Sequence, residues 1–302
     1  MDYQHVPVML SEVLDYLEVK PGGKYIDCTL GGAGYTLAIA KITGLAGRIL
    51  AIDLDENAIE NGRRLIAEES KKENDLASIE LLRGNFKNIE EFATAVFGAG
   101  KKIDGIVMDL GLSSFQLSDE ERGFSFKSSG PLDMAFGSGA QRSTTKIINE
   151  YPLLELTRIF REYGEEKRAY QLAKAIVAAR SIQPIKTAAQ LANLIEAQVP
   201  ARFRGKIHPA TRIFQALRLE TNAELESLQE VLPAAVELLA PKGKLVVVSF
   251  HSGEDRIVKR FFKSREDIEI LTKRPIPVSA QEAAENPRAR SAKLRAANKK
   301  EF

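Results

Sequence analysis

One stretch near the N-terminus constrains the fold more than any other feature of this sequence. Residues 24–35 read KYIDCTLGGAGY, a mainly apolar strand that breaks into a glycine-rich turn, and helical spacing follows over residues 36–41. A second strand, RILAID at 48–53, ends in Asp53. Glycines let the backbone approach a ligand closely, and an acid at the tip of the next strand can accept both hydroxyls of a ribose. The pattern predicts a doubly wound α/β fold that holds a nucleoside-type cofactor.

The alternation of strands and helices continues for two more strands, and then it stops. Strands are predicted over 79–85 and over 104–110, the latter reading DGIVMDL with Asp109 near its end. Residues 112–219 contain no convincing strand, and their apolar spacing predicts helices instead. The α/β pattern resumes with a helix and a strand, KLVVVSF, over 244–250. We therefore predict a parallel sheet whose ligand lies at the carboxyl ends of the strands, interrupted by an all-helical insert.

These boundaries predict how the chain is divided. Residues 1–112 form the first part of the α/β domain, residues 113–219 form the helical insert, and residues 220–302 form the second part with a basic C-terminal tail. A chain of 302 residues with 44% hydrophobic residues can build a large core. Its single cysteine, Cys28, lies inside the first strand and indicates a reducing, cytoplasmic setting. No signal peptide or membrane-spanning run is recognised, so no membrane association is predicted.

Basic residues are concentrated in two segments although the net charge is only +2. Five bases and no acid lie between residues 200 and 219, among them Arg202 and Arg204. From residue 286 to the C-terminus six bases face one acid, among them Arg288 and Arg290. Such clusters beside a cofactor site indicate a phosphate-rich substrate, with nucleic acid favoured. The alternative is a solvated helix face and a soluble tail.

The three histidines do not suggest a metal site. No two of His5, His208 and His251 stand at the spacing of a metal-ligand pair, so no metal is predicted. His251 directly follows the fifth predicted strand, where contacts with ligands concentrate. It is therefore a candidate substrate-binding residue.

Two cofactor classes fit a glycine turn followed by Asp53. A nicotinamide dinucleotide requires the Gly-x-Gly-x-x-Gly spacing, which the run GGAG at 31–34 does not have. S-adenosylmethionine fits better, because Asp109 at the end of the fourth strand can hold the methionine end of that cofactor or an amine that is to be methylated. The choice between these two roles of Asp109 stays open, as does a simpler role in capping the turn at Gly111.

Long motifs of this chain resemble the ribosomal RNA small-subunit methyltransferase H family. The resemblance extends over nearly the whole sequence, in order. It is carried by HVPVMLSEVLDYL, the glycine turn, DGIVMDLGLSS, ERGFSF, GPLDM, HPATRIFQALR, SFHSGEDRIVK and NPRARSAKLRAA. The family fold is a class I (Rossmann-like) S-adenosylmethionine methyltransferase sheet with a helical domain inserted after the fourth strand.

The resemblance implies a function and a set of site residues. The family methylates the N4 amine of a cytidine in the decoding region of bacterial 16S rRNA, so the implied partner is the small ribosomal subunit. Where the family commonly shows Gly-Gly-His-Ser, this chain reads AGYT at 33–36, and contacts made through the backbone should be retained. The cofactor-binding residues implied by the family are Ala33, Gly34, Tyr35, Asp53, Phe86, Asp109 and Gln116.

A different class of function is also compatible with the sequence. The chain could be a non-catalytic RNA-binding or ribosome-assembly protein on a methyltransferase fold, although an intact Asp53 and Asp109 argue against that reading. The oligomeric state, monomer or homodimer, is left open by the sequence.

Overall fold

A computed structural model describes residues 7–113, 116, 117, 119–126, 128, 130–137, 142–200 and 208–301 of the chain. Its residues divide into two compact units. The first unit comprises Met1–Gly111 and Leu225–Phe302, and the second comprises Leu112–Glu224. The insert predicted over 113–219 would end inside a helix, Thr211–Asn222, whereas the second unit continues to Glu224.

The first unit is built on one sheet of eight strands. Five strands, β1 to β5, are parallel, while β8 runs antiparallel to β5, β6 and β7. The strand order is β3-β2-β1-β4-β5-β8-β6, with β7 paired to β8, so the direction of winding reverses between β1 and β4. This order confirms the predicted class I α/β fold, and its reversal point places a ligand crevice at the carboxyl ends of β1 and β4. The strands are β1 (Lys24–Asp27), β2 (Arg48–Asp53), β3 (Ser78–Arg83), β4 (Ile103–Asp109), β5 (Leu239–Ser249), β6 (Ile268–Ile270), β7 (Ile276–Pro277) and β8 (Lys293–Lys299).

Helices cover both faces of the sheet, and others form the second unit. The α-helices considered below are α1 (Leu10–Leu17), α2 (Gly34–Thr43), α3 (Glu56–Ser70), α4 (Ile89–Phe97), α5 (Thr144–Glu150), α6 (Leu153–Glu162), α7 (Ala169–Arg180), α8 (Ala188–Gln198), α9 (Thr211–Asn222), α10 (Glu224–Leu238), α11 (Ser252–Ser264) and α12 (Ala280–Glu285). On one face α4, α10 and α11 bury Ile89, Leu232 and Phe262 in a common apolar core. On the other face α1 and α2 bury Val13 and Ile39. No described helix is long and apolar enough to cross a membrane.

The second unit packs α5 to α9 around its own apolar core, which includes Phe160 and Leu191. The chain between residues 144 and 162 forms two helices, because α5 ends at Glu150 and Pro152 precedes α6. Proline cannot continue a helix from the residues before it, but it is well tolerated at a helix start. Thr187 and Gln190 form a capping box at the start of α8.

The C-terminal segment is not the basic tail predicted from the sequence. Residues Lys293–Lys299 form β8, which lies between β5 and β6 and pairs with both. Two of the bases assigned to the tail are held by acids of the same unit. Arg295 is buried with its Nε 2.7 Å from Oδ1 of Asp255, and Lys299 Nζ lies 2.6 Å from Oδ2 of Asp267. The short sequence of β8 has a lysine at each end and does not resemble a strand, and its pairing with β5, β6 and β7 stabilises it as one.

Candidate active site

Asp53 joins the glycine turn to the tip of the second strand. Its Oδ2 accepts a hydrogen bond from Gly31 N at 2.9 Å, and its Oδ1 accepts one from Asp55 N at 2.9 Å. Gly31 and Ala33 both have left-handed backbones, with φ of 46° and 61°. A left-handed φ costs alanine more than glycine, so the turn is held by its surroundings as well as by its sequence. The carboxylate thereby fixes the turn beneath which a cofactor would bind.

The Asp53 carboxylate keeps acceptor capacity for a ligand. A carboxylate offers about four lone-pair sites, and the two backbone amides use two of them. The pKa of Asp53 is raised to about 6, mainly by burial and to a smaller extent by the charges of Asp55 and Asp27, while the two amide hydrogen bonds oppose the shift. Two remaining acceptor sites on one carboxylate suit the two adjacent hydroxyls of a ribose.

A second carboxylate, Asp27, connects β1 to the first helix after the turn. It is fully buried, its Oδ2 accepts from Thr36 Oγ1 at 2.6 Å, and its Oδ1 accepts from Thr29 N at 3.1 Å. Thr29 Oγ1 in turn accepts from Asp109 N at 2.8 Å. Sequence reasoning missed Asp27, although an acid inside an otherwise apolar strand is the signal that could have identified it.

Asp109 lies at the end of β4 with an unsatisfied carboxyl oxygen. Its Oδ1 is buried and accepts no hydrogen bond from any residue that the structure describes. Burial raises the pKa of Asp109 well above its usual value, and the charges of Asp27, Glu254 and Glu282 add to the shift. A buried, unpaired acceptor costs free energy that a bound cation or N–H donor would recover. The site therefore fits a ligand that brings an ammonium or an amine to Asp109.

The side of the glycine turn next to Tyr35 is closed by the N-terminal segment. The buried Tyr35 hydroxyl donates a hydrogen bond to the carbonyl of Val8. A Cβ added to Gly34 would lie 2.1 Å from Cγ of Pro7, so only glycine fits there. Met9 N donates to Oε1 of Glu282 at 2.8 Å, which attaches the same segment to α12. The side chain of Tyr35 thus anchors residues 7–9.

Comparison with known proteins selects between the two cofactor classes. The model of the MraW methylase family matches residues 2–300. This chain belongs to the MraW methylase family. Its members use S-adenosylmethionine, so the chain is an S-adenosylmethionine-dependent methyltransferase and not a dehydrogenase. The family expected from the sequence motifs is confirmed.

Relatives named "Ribosomal RNA small subunit methyltransferase H" match along the full chain. The protein from Carboxydothermus hydrogenoformans is 41% identical over 100% of both chains. The protein from Thermomicrobium roseum is 44% identical over 98% of this chain and 93% of its own. A solved structure of an rRNA methylase from Streptococcus thermophilus covers 98% of this chain and 99% of that chain at 9% identity, with a TM-score of 0.47, which is too low to support an argument.

The acids of this MraW family member fit the cofactor that the family uses. S-adenosylmethionine carries a ribose, an adenine and a methionine end with a positive amino group. Asp53 has acceptor sites left for the ribose hydroxyls, and the unsatisfied oxygen of Asp109 suits the amino group. Phe86 lies two residues after Gly84, whose N donates to the carbonyl of Asp53 at 2.9 Å, and its partly buried ring packs against the apolar core. These roles remain predictions.

The other residues predicted to bind the cofactor lie in both units of the chain. Ala33 is fully buried, so a contact of residues 33–35 with the cofactor would use the backbone. Gln116 belongs to the second unit, where its side chain is buried and its Oε1 accepts from Ser113 N at 3.0 Å. Their assignment to the cofactor stays a prediction.

His251 has a local structural role in the MraW fold. Its Nδ1 accepts hydrogen bonds from Gly253 N at 3.1 Å and Glu254 N at 3.4 Å, which caps α11. Glu254 Oε2 completes the capping box by accepting from His251 N at 3.2 Å. The buried Nε2 of the ring lies 3.1 Å from Oε1 of Glu254 and has no hydrogen-bond partner among the described residues. A substrate contact by His251 stays a prediction.

The predicted substrate-binding arginines have different positions. Arg288 and Arg290 are exposed in a 3-10 helix, Pro287–Ser291, just before β8. Arg202 and Arg204 lie outside the described residues. No group of three or more His, Cys, Asp or Glu residues with metal-binding geometry occurs among the residues that the structure describes.

The raised pKa of Asp53 predicts a pH-dependent affinity for the cofactor. The folded, cofactor-free protein holds this carboxyl neutral below about pH 6, whereas an aspartate in the unfolded chain loses its proton near its ordinary pKa of 3.8. Stability from this group is therefore highest at low pH and falls as pH rises toward 6. Ribose binding has the opposite dependence, since the ionised form is the stronger acceptor. Affinity for S-adenosylmethionine should fall by up to about tenfold per pH unit below 6.

Calorimetry of cofactor binding between pH 5 and 8 tests this dependence. Asp53→Asn should bind more weakly and remove the step near pH 6, leaving only the dependence that Asp109 contributes. An identical pH profile in the wild type and in Asp53→Asn would contradict the assignment of the step to Asp53.

Proposed function

We propose that this enzyme transfers a methyl group from S-adenosylmethionine to the N4 amine of a cytidine in the decoding region of 16S rRNA, in the cytoplasm. The observation that carries the proposal is the unsatisfied buried oxygen of Asp109, next to the turn fixed by Asp53 in a class I methyltransferase sheet. Membership of the MraW methylase family and the names of its relatives supply the rRNA substrate.

The residues of the chain have separable tasks in this reaction. S-adenosylmethionine supplies a methyl group that its sulfonium has already activated. The chain must therefore align the target amine with that methyl group and exclude water. The lone pair of a cytosine N4 is conjugated with the ring, so a hydrogen-bond acceptor at its N–H would make the nitrogen more nucleophilic. The target base must also leave its stack to reach a buried acceptor.

Asp109 is the acceptor of choice among the acids at this edge. Asp27 already accepts hydrogen bonds from Thr36 and Thr29. Glu254 already accepts hydrogen bonds from the backbone amides at the cap of α11. Only Asp109 has a buried oxygen without a described partner and lies at the end of a central strand. It can bind the methionine amino group, the cytosine N4, or each with one oxygen. A nearby positive charge would lower the pKa of Asp109 and restore the ionised form that either task requires.

The helical unit supports recognition of a large substrate. It has an apolar core of its own and is inserted in the chain between β4 and β5. We assign to this unit the contacts with the small ribosomal subunit, together with the exposed Arg288 and Arg290. The cofactor task stays with the residues of the first unit.

Mass mapping of methylated nucleosides tests the proposal. Small subunits from cells that lack this enzyme are incubated with purified protein and S-adenosylmethionine, and their RNA is digested and analysed. We expect one N4-methylated cytidine in the decoding region that is absent from subunits incubated without enzyme. A protein that binds the subunits and the cofactor but transfers no methyl group would instead be a non-catalytic assembly factor.

A further inference from the structure

The helix that follows the fifth strand, α11, has an exposed face that carries only positive charges. In α11 the side chains of Val258 and Phe262 are buried in the core, and the opposite side exposes four charged residues, all of them bases. Their spacing of i, i+3, i+4 and i+7 places them on one face over about 10 Å of helix. We call this the α11 basic face; it consists of Arg256, Lys259, Arg260 and Lys263.

The acids of α11 do not neutralise this face. Glu254 is buried in the helix cap, and Asp255 forms an ion pair with the buried Arg295 at 2.7 Å. Lys259, Arg260 and Lys263 form no ion pair within the described parts of the chain. The charge of three rigidly spaced bases is therefore presented to solvent.

Other helices of the first unit carry different charges. On α3 exposed acids and bases are mixed, and Arg64 pairs with Glu68 at 2.7 Å. The exposed charged residues of α4 are the acids Glu90 and Glu91, and those of α10 are the acids Glu230 and Glu237. Both helices share a core with α11. The whole chain has 43 bases and 41 acids, so the α11 basic face reflects a segregation of charge and not the overall composition.

The α11 basic face begins at the edge of the sheet that carries the candidate active site. The cap residue His251 lies just after β5, whose Val248 stands beside Asp109 in the parallel pairing. Ser249 is opposite Lys293, so the exposed Arg288 and Arg290 precede β8 at the same edge. From that edge the bases of α11 extend away along the sheet.

We infer that the α11 basic face binds the phosphate backbone of the RNA that flanks the target nucleotide. This inference rests on the proposed function, which makes the substrate an RNA. Lysines and arginines on a rigid helix contact phosphates without reading sequence, and they hold the strand in register with the reacting centre. This surface is not apparent from the sequence, because the acids Glu254 and Asp255 make the segment appear mixed in charge.

The test uses a triple variant, K259Q/R260Q/K263Q, and a matched control on α3, R63Q/R64Q/K71Q. Both remove three exposed positive charges from the first unit. Binding of in vitro transcribed 16S rRNA is measured between roughly 50 and 300 mM salt, where the binding constant of a phosphate-contacting protein changes steeply with salt concentration. The α11 variant should lower the slope of log K against log salt by about 2, since each phosphate contact contributes about 0.7–0.9. The control should keep the wild-type slope, and both variants should keep the wild-type affinity for S-adenosylmethionine.

Methyl transfer provides a second readout. The α11 variant should raise the RNA concentration needed for half-maximal rate at least tenfold, with an unchanged rate at saturating RNA. An unchanged salt slope, or equal losses in both variants, would show that the α11 basic face is only solvated surface. If the wild type neither binds nor methylates the RNA, the proposed function itself fails and this inference fails with it.

Discussion

Asp109→Asn is expected to weaken the binding of S-adenosylmethionine by about ten- to a hundredfold, the loss of one charge-assisted hydrogen bond worth about 1.5–3 kcal/mol. The replacement keeps the size of the side chain and one acceptor oxygen but removes the charge. Since burial and three neighbouring acids make that charge unfavourable in the cofactor-free protein, the variant should be at least as heat-stable as the wild type. Stabilisation by added cofactor should nevertheless shrink.

Calorimetry, thermal unfolding and single-turnover transfer together separate the possible roles of Asp109. Weaker cofactor binding with slower transfer indicates contact with the methionine amino group. Normal cofactor binding with a much lower transfer rate indicates contact with the cytosine N4. Reduced stability with both functions kept would indicate a cap of the turn at Gly111. Asp104→Asn is the matched control, because this acid begins the same strand and its Oδ2 accepts from Lys24 N at 2.8 Å, at the opposite end from Asp109.

Asp53→Ala is expected to weaken S-adenosylmethionine binding by about ten- to a hundredfold through the loss of the acceptor for the ribose hydroxyls. The structure adds a second effect, since the amides of Gly31 and Asp55 lose their acceptor and the turn loses its support. Two unsatisfied amides cost about 1–3 kcal/mol each where they stay buried, so the melting temperature should fall as well.

The asparagine variant separates the two effects of losing Asp53. Asp53→Asn keeps one acceptor oxygen for the backbone amides, so it should recover part of the stability while cofactor affinity stays low. Asp55→Asn keeps the cap of α3 and serves as the neighbouring control. If the affinity measured by calorimetry is the same in Asp53→Ala and the wild type, Asp53 is not the ribose acid.

Features that depend on neighbours in sequence were predicted correctly. The bounds of β2 and the helix that follows the glycine turn come from apolar spacing over a few residues. The succession of strands and helices also restricts the sheet to a doubly wound order, because parallel strands need crossover connections of one hand. That order by itself brings the tips of β1, β2 and β4, and hence Asp53 and Asp109, to one edge.

Features that depend on distant partners were not predicted. The strand identity of β8 comes from β5 and β6 on its two sides, since its own short sequence with lysines at both ends resembles a tail. The partner of the Tyr35 hydroxyl is a backbone carbonyl in the N-terminal segment, and no side-chain pattern specifies a backbone partner. Which bases remain available to RNA was also invisible in a count of charges, because Arg295 is bound to Asp255 while Lys259 is not.

The sequence by itself thus determined the fold class and the acids at the strand ends, because local periodicity and chain connectivity fix these. Only the tertiary structure decided which of those acids are already satisfied. Both carboxyl oxygens of Asp27 already accept hydrogen bonds, from Thr36 and Thr29, whereas Asp109 retains a buried oxygen for a ligand. That difference arises because hydrogen-bond partners are assigned by packing in three dimensions, after the chain has brought all its polar groups together.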